Sequence, residues 1–131
     1  MIGIDTNVLV RYLVQDDPEQ SALASRLIDG LTIERPGFIA LLTLAELVWV
    51  LRRAYGYRHE LVRQTLAAIL TTMEFQIEDR ALALAALRDY ENGGADYADC
   101  LIAQGALRAG CEAVYTFDRK ATRHTGFRLL E

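Results

Sequence analysis

Apolar positions along this chain follow two periods. In "DDPEQSALASRLIDG" the spacing is helical, with Leu23, Leu27 and Ile28 on one face. That helix is punctuated at both ends: Asp17 stands as N-cap, Pro18 takes the first helical position, Gln20 closes a capping box and Gly30 terminates. Val62, Leu66, Ile69, Leu70 and Met73 repeat the helical spacing in "HELVRQTLAAILTTM". Shorter runs have strand character. Residues 1–4 form an apolar stub that turns into a helix at Asp-Thr-Asn, and residues 38–41 form a strand followed by a helix capped at Thr43 and ended at Gly56. "EFQIED" alternates as a brief strand, "EAVYTFD" gives a strand ending at Thr116, and "FRLL" is a candidate last one. "RALALAALRDYENGG" reads as helix up to its glycine pair, and "DYADCLIAQGALRAG" as helix from residue 96 to residue 110.

Short strands alternating with helices predict parallel βαβ units, with a central sheet covered by helices on both faces. No repeat, linker or low-complexity tract interrupts the pattern. With 131 residues, 52% of them hydrophobic, residues 1–131 are expected to form one domain. No segment approaches the ~20 apolar residues that cross a bilayer, and no leader pattern opens the chain, so a soluble cytoplasmic protein is expected. Cys100 and Cys111 lie in no CxxC pair and near no histidine at ligand spacing. They are expected to be reduced, packed thiols rather than zinc ligands or a disulfide.

Four acids change the picture. In a parallel sheet, ligands bind beyond the carboxyl ends of the strands. Asp5 ends the first strand, Asp118 lies just past "AVYTF", Glu46 is in the first turn of the helix leaving the second strand, and Asp99 is in the first turn of the helix feeding "AVYTF". Topology therefore sends all four to one sheet edge. Bland roles exist as well: Glu46 completing Thr-x-x-Glu with Thr43, Asp99 favoured by the positive end of a helix that Asp96 would cap, Asp5 bonding the amides of its own turn. Four carboxylates together repel unless a cation offsets them. Mg²⁺ or Mn²⁺, hard ions that prefer oxygen ligands, suit such a set and point to chemistry on a phosphate ester. The net charge of −4 opposes an anionic partner, but 13 of the 14 basic residues are arginine and several gather in "FDRKATRHTGFR".

"MIGIDTNVLVRYLVQDDP", "LAELVWVL", "GADYADCLIA" and "VYTFDRKA" resemble, in order and spacing, PIN-domain proteins of the VapC toxin group, over nearly the whole chain. The resemblance implies a three-layer α/β/α fold, Mg²⁺-dependent ribonuclease activity, dimerisation, and inhibition by a cognate VapB antitoxin. It assigns the family's acidic quartet to Asp5, Glu46, Asp99 and Asp118, matches Thr6 and Asn7 to the polar pair after the first aspartate, and matches Thr116 to the hydroxyl residue before the last. Asp96 stays open between an additional ligand and a cap. Arg119, Lys120 and Arg123, next to Asp118, are expected to hold RNA. Two rivals remain. A phosphatase with an aspartate nucleophile would want Asp-x-Asp where this chain has Asn7, and a catalytically silent binding module would carry the acids without using them.

Overall fold

A computed structural model describes all residues, 1–131. The chain divides into two compact units, Met1–Asp79 and Arg80–Glu131.

In the first unit, β1 (Ile2–Gly3) leads through Asp5 into α1 (Thr6–Val14), followed by α2 (Pro18–Asp29), β2 (Gly37–Ile39), α3 (Leu41–Arg53), α4 (His59–Leu70) and β3 (Phe75–Ile77). The three strands pair in the order β1-β2-β3, all parallel, with Ile2 opposite Gly37 and Ile39 opposite Ile77. Their carboxyl ends therefore share one edge. Gly37, Ile39, Phe75 and Ile77 are buried while Gln76 is exposed, the period-2 alternation of a strand. Gly37 is required by close approach: a Cβ there would lie 2.8 Å from Leu31 Cδ1 and 3.0 Å from Ile4 Cγ1.

α3 buries Leu44, Leu47, Val48 and Leu51, a stripe at helical spacing, and packs against α1 and α4. It starts three residues earlier than the sequence suggests. Ala40 is its N-cap position, and the end is closed from a distance by Glu78, whose Oε1 accepts the Leu41 amide at 2.9 Å. Thr43 is buried within the helix and caps nothing, so the Thr43–Glu46 capping box does not form. α3 stops at Arg53, short of Gly56, which takes φ +66° in the turn that follows.

α2 begins as read, with Asp17 accepting the Gln20 amide at 3.0 Å. The return half of that box is missing, because the Gln20 side-chain oxygen accepts from Arg11 Nε at 2.7 Å. The buried stripe of α2 is Ser21, Ala24 and Ile28; Leu23 and Leu27, placed on one face with Ile28 by their spacing, are exposed. Met73 is likewise 70% exposed, since α4 ends at Leu70 and the helical period no longer applies to it.

The second unit comprises α5 (Arg80–Asn92), α6 (Tyr97–Arg108), β4 (Val114–Thr116), a 3₁₀ turn (Ala121–Arg123) and β5 (Phe127–Leu129). β4 and β5 pair in parallel as a separate two-stranded sheet. All strand pairing is thus parallel, as expected, but it falls in two sheets rather than one continuous ladder. α5 packs on α6, and Tyr97, fully buried, donates from its hydroxyl to Ala83 O at 3.0 Å and meets the Tyr90 ring edge-on. Ala103 of α6, Ala121 and Phe127 form a small core with Val114 against it. Cys100 is buried, its thiol pushed up to about 12 by burial, whereas Cys111 is exposed and not the packed thiol expected.

Candidate acidic site

Asp5 is the N-cap of α1. Its Oδ1 accepts the amide of the adjacent Thr6 at 2.7 Å, not that of the second or third helical residue as a capping aspartate usually does. The preceding Ile4 is buried but Asp5 itself is exposed, so the charge bears little of the desolvation cost that an acid beside a buried strand suggests. Thr6 then reaches the other way: its hydroxyl donates to Glu46 Oε1 at 2.9 Å. Glu46 lies in the second turn of α3, beyond the carboxyl end of β2, and this bond brings it to the turn led by Asp5. Asp5, Thr6, Asn7, Glu46, Arg11 and Tyr55 border a cleft of about 380 Å³.

Glu78 occupies the same sheet edge, just past β3, and the sequence reading passed over it. Its carboxylate is engaged by the N-terminus of α3, where an anion is favoured by the helix dipole as well as by the hydrogen bond. Arg11, also not singled out, forms one wall of the cleft and pairs with Asp16 at 3.1 Å.

In the second unit Asp99, in the first turn of α6, is partly buried. Burial raises its carboxyl above the ordinary value, and the charges of Asp96 and Asp118 raise it further, with His124 opposing them. The structure thus draws Asp96 and Asp118 within electrostatic reach of Asp99. Asp96 occupies the N-cap position of α6, yet its side chain makes no capping bond. Asp118 sits in a tight turn after β4: its amide donates to Thr116 Oγ1 at 3.0 Å and its Oδ1 accepts the Lys120 amide at 2.9 Å. Arg119, Lys120 and Arg123 are exposed. Arg123 lies over the turn before α6, with Nη1 3.4 Å from Gly94 O and Cδ only 2.8 Å from where a Cβ on Gly94 would stand.

His124 meets a carboxylate from α5. Its Nε2 lies 2.6 Å from Asp89 Oδ2, which also accepts from Gln104 Nε2 at 2.7 Å, and its Nδ1 accepts the Gly126 amide at 2.9 Å. Accepting at Nδ1 puts the neutral ring's proton on Nε2, so His124 fastens the loop to α5. No spacing signal in the sequence marks a pairing between residues 89 and 124.

All donors offered are carboxylate, hydroxyl and amide oxygens, with no thiolate or imidazole among them, which suits a hard divalent cation in kind. Within neither unit do three His, Cys, Asp or Glu side chains stand close enough to enclose an ion. Mg²⁺ needs no such enclosure: it keeps several waters and binds through one or two carboxylates with substrate phosphates.

Short parallel strands joined by helices, with carboxylates beyond the carboxyl ends of β1 and β4, define an α/β protein with acids at its strand ends. The chain matches the PIN domain over residues 2–126 and belongs to that family. The family's fold class is the three-layer α/β/α sandwich; its members are generally nucleases, bind nucleic acid and typically use divalent metal ions. No match to a curated protein was found. No helix is long and apolar enough to cross a membrane.

Proposed function

We propose that this chain, acting as a single PIN domain, is a Mg²⁺-dependent endoribonuclease, the toxin of a VapBC-type pair. The observation that carries this reading is the bond from Thr6 Oγ1 to Glu46 Oε1, which gathers a glutamate from α3 and an aspartate from the end of β1 at one cleft. Membership in a family of nucleases supports the class of reaction.

Asp5, Glu46, Asp99 and Asp118 are assigned as the catalytic carboxylates that hold the metal. When bound, Mg²⁺, or Mn²⁺ in its place, neutralises phosphoryl oxygens and lowers the pKa of a bound water. Thr6 orients two of the ligands, one through its amide and one through its hydroxyl. Asn7 borders the same cleft. Thr116 holds the turn that presents Asp118, and Asp96 adds negative charge beside Asp99. Arg119, Lys120 and Arg123 are assigned to RNA phosphates, where positive charge offsets a net charge of −4. A cognate VapB-type antitoxin, a homodimer and a cytoplasmic location belong to the same reading. Leu42 and Trp49, 71% and 62% exposed and two turns apart on α3, supply apolar surface of the kind association covers.

The test is cleavage of RNA by purified protein with Mg²⁺, with EDTA, and with Asp5→Asn, which keeps an acceptor for the Thr6 amide. Cleavage that EDTA and Asp5→Asn both abolish is expected, and sequencing the new 5′ ends then identifies the target. Cleavage indifferent to EDTA would rule the mechanism out, and none at any Mg²⁺ concentration would leave a binding module.

A further inference from the structure

Arg11 lies in the last turn of α1, one turn after Asn7, and is a wall of the cleft that Asp5 and Glu46 border. Its guanidinium is fixed by three hydrogen bonds. Nε donates to Gln20 Oε1 at 2.7 Å, while Nη1 donates to Asp16 Oδ1 and to the Tyr55 hydroxyl, both at 3.1 Å. Tyr55 in turn donates to Asp16 Oδ2 at 2.8 Å, closing a ring that holds the guanidinium in place. These bonds account for Nε and Nη1 and leave both donors of Nη2 without a protein acceptor.

The ordinary task of an arginine at this position, covering the last carbonyls of the helix, is already done by another residue. Gln15 donates its amide to Arg11 O at 3.2 Å and its side-chain Nε2 to Tyr12 O at 2.7 Å. Arg11 is therefore oriented by its neighbours, borders the acidic cleft and keeps unused donors, the arrangement that suits an oxyanion.

We infer that Arg11 binds a backbone phosphate of single-stranded RNA beside Asp5 and Glu46. The identity of the anion rests on the nuclease reading; the anion-binding role rests on the geometry. Asp16, paired with Arg11, weakens that role, so removing its charge should strengthen it.

Binding of a fluorescein-labelled, unstructured RNA oligonucleotide, followed by anisotropy in EDTA buffer across a salt titration, tests this without any cleavage. Arg11→Gln should weaken affinity several-fold at low salt and flatten the slope of log K against log salt by about 0.7, the value for one phosphate contact on a single strand. Asp16→Asn should tighten binding, and it carries the test by itself if Arg11→Gln does not fold. An unchanged salt slope in Arg11→Gln, unchanged affinity in Asp16→Asn, or no RNA binding by the wild type overturns the inference. The two readings fail separately: a wild type that never cleaves but keeps an Arg11-dependent slope removes the nuclease and leaves the phosphate site.

Discussion

Of the four assigned acids, Asp99 is the one that is partly buried, and burial together with its neighbours Asp96 and Asp118 favours its protonated form. The consequence for folding has a definite sign. The folded state holds the Asp99 proton to higher pH than the unfolded chain, so this group's contribution is fullest below the ordinary value of 3.8 and is lost as pH rises through the raised folded value. Asp99→Asn cannot ionise. In metal-free buffer it should melt above the wild type at neutral pH, and thermal melts should show the gap closing on acidification below the ordinary carboxylate range. A gap that widens on acidification would contradict the assigned cause. Glu46 offers a second residue-scale test. Glu46→Gln keeps an oxygen for the Thr6 hydroxyl, so stability should stay within about 0.5 kcal/mol. Cleavage should fall on the order of 100-fold, since even outer partners of a metal site cost 10–100-fold. Wild-type turnover in Glu46→Gln would return the residue to a purely structural role.

At the scale of elements, the edge of the first sheet depends on two contacts that bring distant segments together. Glu78, just past β3, closes the N-terminus of α3, the helix that carries Glu46. Glu78→Ala should cost about 1 kcal/mol in chemical denaturation, the usual cost of a lost N-terminal acceptor, and should also lower cleavage by loosening that helix start. Gly37 lets β2 lie against Leu31 and Ile4. Gly37→Ala forces a methyl into that space and should destabilise by about 1–3 kcal/mol, measured in the same way. Both effects would be invisible to a reading of helix and strand periods, because neither residue interrupts its local pattern.

At the scale of the whole molecule, metal binding should appear as stability. The folded chain offers oriented carboxylates and the unfolded chain does not, so Mg²⁺ at 100 times its dissociation constant should add about 2.7 kcal/mol by mass action. Differential scanning fluorimetry across a Mg²⁺ series should show the melting temperature of the wild type rising and that of Asp5→Asn/Asp99→Asn staying level. Equal shifts in both would place the ion away from these acids. Replacing Arg119, Lys120 and Arg123 with alanine should leave this response unchanged, because the role proposed for them is to hold phosphates rather than the metal.

Local physics made much of this protein legible from its sequence. Asp17 and Pro18 open α2 as read, because capping and φ restriction act within a few residues. The order of strands and helices was visible for the same reason, as were Asp5 after β1 and Asp118 after β4: apolar period and chain order need no knowledge of distant partners. Tertiary structure decided the rest. Leu23 and Leu27 sit at helical spacing with Ile28 but stay exposed, and Ser21, Ala24 and Ile28 are the residues of α2 that packing buries. Thr43 matches a capping pattern, yet α3 begins earlier because Glu78, 37 residues from Leu41, supplies the acceptor. His124 finds Asp89, and Arg11 is locked by Tyr55, only once loops and helices close. Spacing along a chain reports which residues share a face; which face meets a partner, and which side chain's hydrogen bond is completed from far away, depends on packing that no local window contains.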